Sequence, residues 1–404
     1  MQQVLADNLV LVLPRGLSLR DWNRIGHLDR EWTYYQRLAA RFGRTILVSS
    51  GGPDDRPLAE RLANTLPRPA SLTLLWNDTR VLEPHYHASI PTRVAQLLTP
   101  RSSALILTEQ FTAGAAAVAT HAHLKSLHHP AALVARGGYL WSRFAARECG
   151  PDSPQAVLAA QIEAALCGSA DLVIGTTPDM VSDLCWRYHI DPRHARCVPN
   201  FAIVPDVITP AAERERGLIV TAGNVIARKR IHILIEAISL LDQELRASTI
   251  LEVIGQGPEL PRLRKLAESL GVCVRFVPTL PHTDFLERLS HASIYAQASD
   301  HEGHPRGVLD ALGMGAVVVA ADAPGLHGMV KTGATGILVP TAEPRDFANA
   351  FAGILTDPDW CDLLGGTAAR AIRADYGIDH VASLAIDACR DAMIVASAAR
   401  SPAA

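Results

Sequence analysis

Residues Ile294–Ala321 read IYAQASDHEGHPRGVLDALGMGAVVVAA. Ile294–Ala296 is a short apolar run, Val308–Met314 carries apolar residues at helical spacing, and Ala316–Ala321 is a second apolar run rich in valine. A strand, a glycine-bearing turn, a helix and another strand in that order form a parallel β-α-β crossover. The same rhythm extends in both directions. Towards the N-terminus of this half, Leu218–Ala222, Ile250–Ile254 and Val272–Val277 read as strands, and Gly336–Val339 follows on the other side. His232–Leu241, Glu259–Leu270, Asp284–Ser290 and Phe347–Leu355 read as helices between and after them.

The first half repeats the pattern. Leu9–Leu13, Arg44–Val48, Leu72–Trp76, Ala104–Thr108, Ala131–Ala135 and Leu172–Gly175 are strand candidates, with helices expected over Asp29–Phe42, Pro154–Cys167 and Pro178–His189. Runs this short and apolar are buried on both faces, so each sheet should be parallel and covered by helices on both sides. The alternation breaks at about 199–216, where Pro199, Pro205, Pro210 and the charged run Glu213–Arg216 suggest a linker. The expected fold class is therefore α/β, with two Rossmann-like doubly wound domains facing across a cleft. The expected boundaries are 1–205 for the first domain, 206–377 for the second, and 378–404 for a C-terminal helix crossing back, with a frayed tail near 396–404. Ligands of open parallel sheets bind at the carboxyl ends of the strands.

Composition sets the outer limits. The chain has 404 residues, of which 48% are hydrophobic and 20% charged, with a net charge of −3. That excludes a disordered chain and gives no broad basic surface for nucleic acid. Residues 1–205 hold 20 Lys and Arg against 17 Asp and Glu, and the remainder is acidic. The basic first half could meet an anionic acceptor or surface, or the charges could be solvated scatter. Seven cysteines without a C-x-x-C pair read as free thiols of a reducing, cytoplasmic setting. No basic start leads into an apolar core at the N-terminus, and no apolar run approaches the ~20 residues that span a bilayer.

Three loops carry the chemistry. In Ser299–Gly315, Glu302 sits in a turn, Gly303 lets a ligand approach the backbone, His304 and Arg306 lead into a helix, and Asp310 falls eight residues after Glu302. Amides at a helix start suit phosphate oxygens, Arg306 can add a charge-assisted bond, and the two carboxylates suit sugar and ribose hydroxyls. An ordinary loop with a solvated Glu and an Asp in the first helical turn is the plainer reading of this segment alone. In Thr221–Arg230, TAGNVIARKR, Gly223 permits a tight turn and Arg228, Lys229 and Arg230 are clustered cations. Lys229 is one of only four lysines, and its expected role is to hold a departing diphosphate. In Ile254–Leu260, IGQGPEL, the G-x-G lacks the third glycine of a dinucleotide fingerprint.

Together, residues 217–340 resemble the donor-binding half of family 4 glycosyltransferases, which have the GT-B fold. The family's ordered motifs appear as Gly223–Arg230, Ile254–Glu259, Arg275–Pro278, Glu302–Ala311, Val317–Ala321 and Gly333–Gly336, with Val198-Pro199-Asn200 ahead of the linker. The resemblance implies that Lys229 binds the diphosphate, Glu302 contacts the donor sugar and Asp310 holds the ribose. It also implies that amides over Gly303–Gly307 face the phosphates and sugar, and that the nucleobase lies along Val277–Leu280. Asn224 stands where the family has an arginine, and Arg228, Arg230 or Arg306 are the candidates to supply its charge. Asp310 is one methylene shorter than the family's Glu, and Gly307 and Gly313 loosen the helix.

The first half matches only in rhythm. Gly16 follows the first strand, His27 precedes a helix, and Arg136 occupies the position of a family histidine. Arg136, His27 and Glu109 are therefore the candidates to assist the acceptor. The resemblance implies a retaining hexosyltransferase that moves a sugar from a nucleoside-diphosphate sugar to a saccharide or lipid-linked hydroxyl. Polysaccharide or lipid-linked glycan assembly is the setting it implies, in the cytoplasm, with peripheral contact at the inner face of the membrane as a further expectation. No metal and no other cofactor are expected. The pairs His85/His87 and His121/His123 and the dipeptide His128-His129 do not present convergent ligands, and no carboxylate cluster accompanies them. The alternatives are an epimerase acting on the nucleotide sugar, and a degenerate protein that binds it without transfer.

Overall fold

In the computed structural model of the chain, residues 4–340 and 343–398 are described. They form two compact units: the residues up to Pro199 together with those from Ala382 onward, and Asn200–Val381.

The first unit is built on a seven-stranded parallel sheet. Its strands are β1 (Ala6–Val12), β2 (Phe42–Val48), β3 (Ser71–Leu75), β4 (Ala104–Thr108), β5 (Ala131–Arg136), β6 (Leu172–Gly175) and β7 (Ala195–Cys197), in the order β3-β2-β1-β4-β5-β6-β7. The second unit has six parallel strands: β8 (Leu218–Ala222), β9 (Ile250–Ile254), β10 (Val274–Val277), β11 (Ile294–Gln297), β12 (Val317–Ala321) and β13 (Gly336–Val339). Their order is β10-β9-β8-β11-β12-β13. In both sheets the order reverses beside the first strand, as in a doubly wound Rossmann-like layer.

Alternate residues of the second sheet divide between two cores. Ile219, Leu251, Val253, Ala296, Val317 and Val319 pack with helices Ile231–Ser239, Leu260–Leu270 and Pro344–Thr356. Leu218, Val220, Ile254, Tyr295, Val318 and Ala320 pack with helices Arg306–Gly313 and Pro358–Tyr376. Burial on both faces explains why these strands are apolar throughout rather than alternating. One face of the first sheet packs Val10, Val12, Ile46, Val48, Ile106 and Leu133 against helices Glu83–Leu97 and Gly114–Ser126.

Some boundaries differ from the sequence reading. The helix expected over Asp29–Phe42 runs Leu28–Ala39, and Phe42 opens β2 instead, where it is buried. The stretch read as a linker is partly structured from its first residues: Ala202 donates its N–H to the Tyr376 carbonyl at 2.8 Å. The last helix, Ile378–Ala398, includes residues 396–398, which were read as frayed; 399–404 lie outside the described residues. Within the first unit that helix is tied by Arg196 to Asp391 at 2.7 Å.

Candidate functional site

Because β8 to β12 are parallel, the loops after them leave the same edge of the second sheet. The loop after β8 carries Gly223 and Asn224, both exposed, and then a short turn Ala227–Lys229. The loop after β9 lies directly against it. Gly255 has φ +141°, and a Cβ there would overlap the Gly223 carbonyl oxygen. The G-x-G of this loop is thus a close-packing device between two loops. Gly255 N–H also donates to the Val277 carbonyl at 2.9 Å, which ties the loop after β9 to the end of β10.

The loop after β11 brings Glu302 to the basic turn. Lys229 Nζ lies 2.7 Å from Glu302 Oε1, and Arg228 reaches the same oxygen at 3.0 Å. Arg228 also donates to the His301 carbonyl at 2.9 Å. The Glu302 side chain is only 8% exposed. Burial alone would raise its pKa, but Lys229 and then Arg228 outweigh it and hold the carboxyl below its ordinary value of 4.5. The two segments that the sequence singled out separately therefore meet in one ion-paired cluster. Arg228 is the arginine that accompanies Lys229 there, in a loop where Asn224 replaces the family's arginine.

The turn is supported from behind. Gly325, in the loop after β12, has φ +89°, and a Cβ there would overlap the carbonyl oxygens of Gly303 and Glu302. Glu302 N–H donates to the Pro324 carbonyl at 3.3 Å. Arg306 and Gly307 open the helix Arg306–Gly313, with Pro305 before it. Gly307 does not merely loosen this helix: the space a side chain would need is filled by the Tyr295 hydroxyl.

Two candidates are placed differently from expectation. The His304 ring is buried, accepts the Asn200 N–H at Nδ1 (3.2 Å), and lies against Tyr376 with ring centroids 5.6 Å apart. Its side chain is engaged with the protein rather than standing open to a donor. Asp310 is 2% exposed, and its Oδ2 lies 3.1 Å from His282 Nε2. The shorter carboxylate sits under the surface with a histidine that the sequence did not single out. His282 begins the helix that follows the Val277–Leu280 loop; Val277 and Leu280 themselves are partly buried against the core. His282 and Gly325 escaped the sequence reading, and Asn200 entered it only as part of the Val198-Pro199-Asn200 motif, without a role.

In the first unit the structure joins two of the acceptor-side candidates. Arg136 ends β5 and donates to the Glu109 carbonyl at 3.0 Å and to the Tyr35 hydroxyl at 3.5 Å. Its guanidinium lies 5.7 Å from the centre of the Tyr34 ring. Arg136 and Glu109 are each 3% exposed, so both side chains belong to a buried cluster rather than an open face. Burial acts to lower the Arg136 pKa, but Tyr35, Tyr34 and Glu109 outweigh it and hold it above the usual value. Gly16, with φ +75°, is exposed and donates to Ser50 Oγ at 3.0 Å. His27 is exposed at the start of helix Leu28–Ala39.

Among the described residues no group of three or more His, Cys, Asp or Glu is arranged to hold a metal, and no helix is long and apolar enough to cross a membrane. All seven cysteines are free.

The second of the two Rossmann-like units brings a cationic turn and an acidic turn together at its strand ends. Residues 209–371, within the second unit, match the family glycosyl transferases group 1. The chain is 28% identical over 272 residues to D-inositol 3-phosphate glycosyltransferase of Streptomyces bingchenggensis, covering 60% of this chain and 57% of that one. It is 28% identical over 200 residues to the lipopolysaccharide core biosynthesis glycosyltransferase LpsE of Rhizobium meliloti, covering 47% and 55%. The chain thus spans little more than half the length of these curated relatives. Its fold resembles HepE from Anabaena, solved in complex with UDP and glucose, with a TM-score of 0.69 over 94% of this chain and 98% of that one, at 15% identity.

Proposed function

We propose that the protein is a glycosyltransferase that moves a sugar from a nucleoside-diphosphate sugar to a hydroxyl acceptor. The observation that carries this reading is the Lys229–Arg228–Glu302 cluster at the strand ends of a glycosyl transferases group 1 domain. Two cations beside a helix start are suited to a leaving diphosphate, whose charge grows as the sugar C1–O bond breaks. Glu302 is placed to accept a hydrogen bond from a sugar hydroxyl once the donor shares its cations. Asp310, bonded to His282, is the carboxylate we assign to the ribose. The C1–O bond loosens ahead of attack by the acceptor, and the reaction proceeds with retention and without a metal ion. The first unit binds the acceptor, whose setting is polysaccharide or lipid-linked glycan assembly.

Thermal unfolding with UDP-, GDP- and dTDP-sugars identifies the donor, because a ligand that binds only the native state raises the transition. Turnover of that donor is then followed with candidate acceptors. Lys229→Ala and Glu302→Ala are expected to abolish transfer while leaving the protein folded. If both retain near wild-type turnover, or if donor alone yields an epimerised nucleotide sugar, the reading is wrong.

A further inference from the structure

The turn that bears Glu302 is held at a point far away in sequence. Asn200 donates twice to one residue: its backbone N–H to His304 Nδ1 at 3.2 Å, and its side-chain Nδ2 to the His304 carbonyl at 2.8 Å. Both residues are buried, Asn200 at 5% and His304 at 7% exposure. A backbone N–H can only donate, so Nδ1 of His304 is the acceptor and carries no proton. The clasp is part of a small assembly within the second unit. The His304 ring leans on Tyr376, and Ala202 pairs with Gly377 and takes the Tyr376 carbonyl. At the far end of the helix Arg306–Gly313, a Cβ on Gly313 would stand 3.2 Å from Val204. Residues 200–204 thus run beneath both the turn and the helix that follows it.

We propose that Asn200 is a positioning residue for the Glu302 turn, and this rests on the donor-site reading given above. His304 is two residues from Glu302 and two from Arg306. Fixing its ring and its carbonyl together fixes the height and tilt of the 303–305 backbone. That sets where the Glu302 carboxylate and the amides at the helix start stand relative to Lys229. Two hydrogen bonds from one buried side chain and its own backbone are a stiffer constraint than either alone. Removing the Nδ2 donor leaves a buried carbonyl without that bond and frees the turn to rock about the remaining contact. A displacement of about 1 Å in a positioning element costs on the order of a hundredfold in rate.

The test uses the full chain and whichever of UDP-glucose, GDP-mannose and dTDP-glucose most raises the wild-type unfolding temperature. Release of nucleoside diphosphate gives the turnover. Asn200→Ala is expected to lower kcat about a hundredfold while KM for the donor stays within about threefold, because the base and ribose side of the site is untouched. His304→Gln, whose amide oxygen can still accept from the Asn200 N–H, should recover most of the activity that His304→Leu loses. A purely structural role would move unfolding temperature without this split between kcat and KM and without this rescue. If Asn200→Ala does not fold, the His304→Gln and His304→Leu pair decides. Asn200→Ala with wild-type kcat, or a glutamine no better than leucine at 304, overturns the proposal. If Lys229→Ala abolishes turnover while Asn200→Ala does not, the clasp alone fails. If Lys229→Ala is also active, or none of the three donors binds, the donor-site reading fails and takes the clasp with it.

Discussion

Glu302 occupies the cations that the proposed function assigns to a diphosphate. Its Oε1 takes Lys229 at 2.7 Å and Arg228 at 3.0 Å. The carboxylate is an internal anion in a site that an external anion must enter. Replacing it with the isosteric neutral amide, Glu302→Gln, keeps the volume and removes the competitor. A hydrogen bond of this kind contributes about 0.5–1.5 kcal/mol net, and about 1.4 kcal/mol is tenfold in affinity. Glu302 engages both Lys229 and Arg228, so its removal should strengthen binding of the bare nucleotide by about 3- to 10-fold. Turnover should fall in the same variant by about a hundredfold or more, because the group that meets the sugar has lost its charge. Lys229→Met should do the reverse to binding, weakening the nucleotide as well as turnover. Calorimetric titration of the two variants and the wild type with the nucleoside diphosphate of the identified donor measures the binding side. Donor turnover measures the other. If Glu302→Gln binds the nucleotide no more tightly than wild type, or more weakly, Glu302 does not compete for these cations and the reasoning is refuted.

Other outcomes follow from the same geometry. The depressed pKa of Glu302 makes its ionised form stabilising above the unfolded value near 4.5, and this contribution is lost as pH falls through the lower folded value. Urea midpoints measured below about pH 4.5 should therefore decline more steeply for wild type than for Glu302→Gln, and parallel declines would contradict the shift. Gly325→Ala should destabilise the protein by about 1–3 kcal/mol and impair turnover, since its Cβ meets two carbonyl oxygens of the Glu302 turn. Gly333→Ala, which has positive φ but open space around it, should cost stability alone, as read by thermal unfolding and turnover together. Arg136→Met should destabilise the first unit by about 1–3 kcal/mol, because the Tyr35 hydroxyl and Glu109 carbonyl lose a buried donor. Loss of turnover with unchanged unfolding temperature would instead assign Arg136 a direct contact with substrate.

Strands buried on both faces were the legible part of the fold. Ala104–Thr108, Leu172–Gly175, Leu218–Ala222, Ile250–Ile254 and Gly336–Val339 stand as read, because a continuous apolar run bounded by turn residues has few other interpretations. Ala195–Cys197 escaped: a three-residue edge strand reading ARC carries no pattern. The helix Gly114–Ser126 escaped too, since its alanines and histidines show no apolar face. In the site, Lys229 and Glu302 could be found because each lies in a loop directly after a strong strand. His282 and Gly325 could not, and Asn200 could be noted in a motif but given no role, because what defines them is a partner elsewhere in the chain: 104 residues separate Asn200 from His304, and 28 separate His282 from Asp310. Arg136 was marked by position, and only packing revealed how deeply it is enclosed.

β10 lies at the margin of its sheet and bonds to β9 alone. A margin strand can shift or lengthen at little expense to its neighbours, whereas the central β8 and β11, which carry Lys229 and Glu302 on their following loops, are braced from both sides. The segment from Val277 to His282 follows such a margin strand. On the proposed function, a lineage could exchange one nucleobase for another there and leave the residues proposed to hold the pyrophosphate as they were.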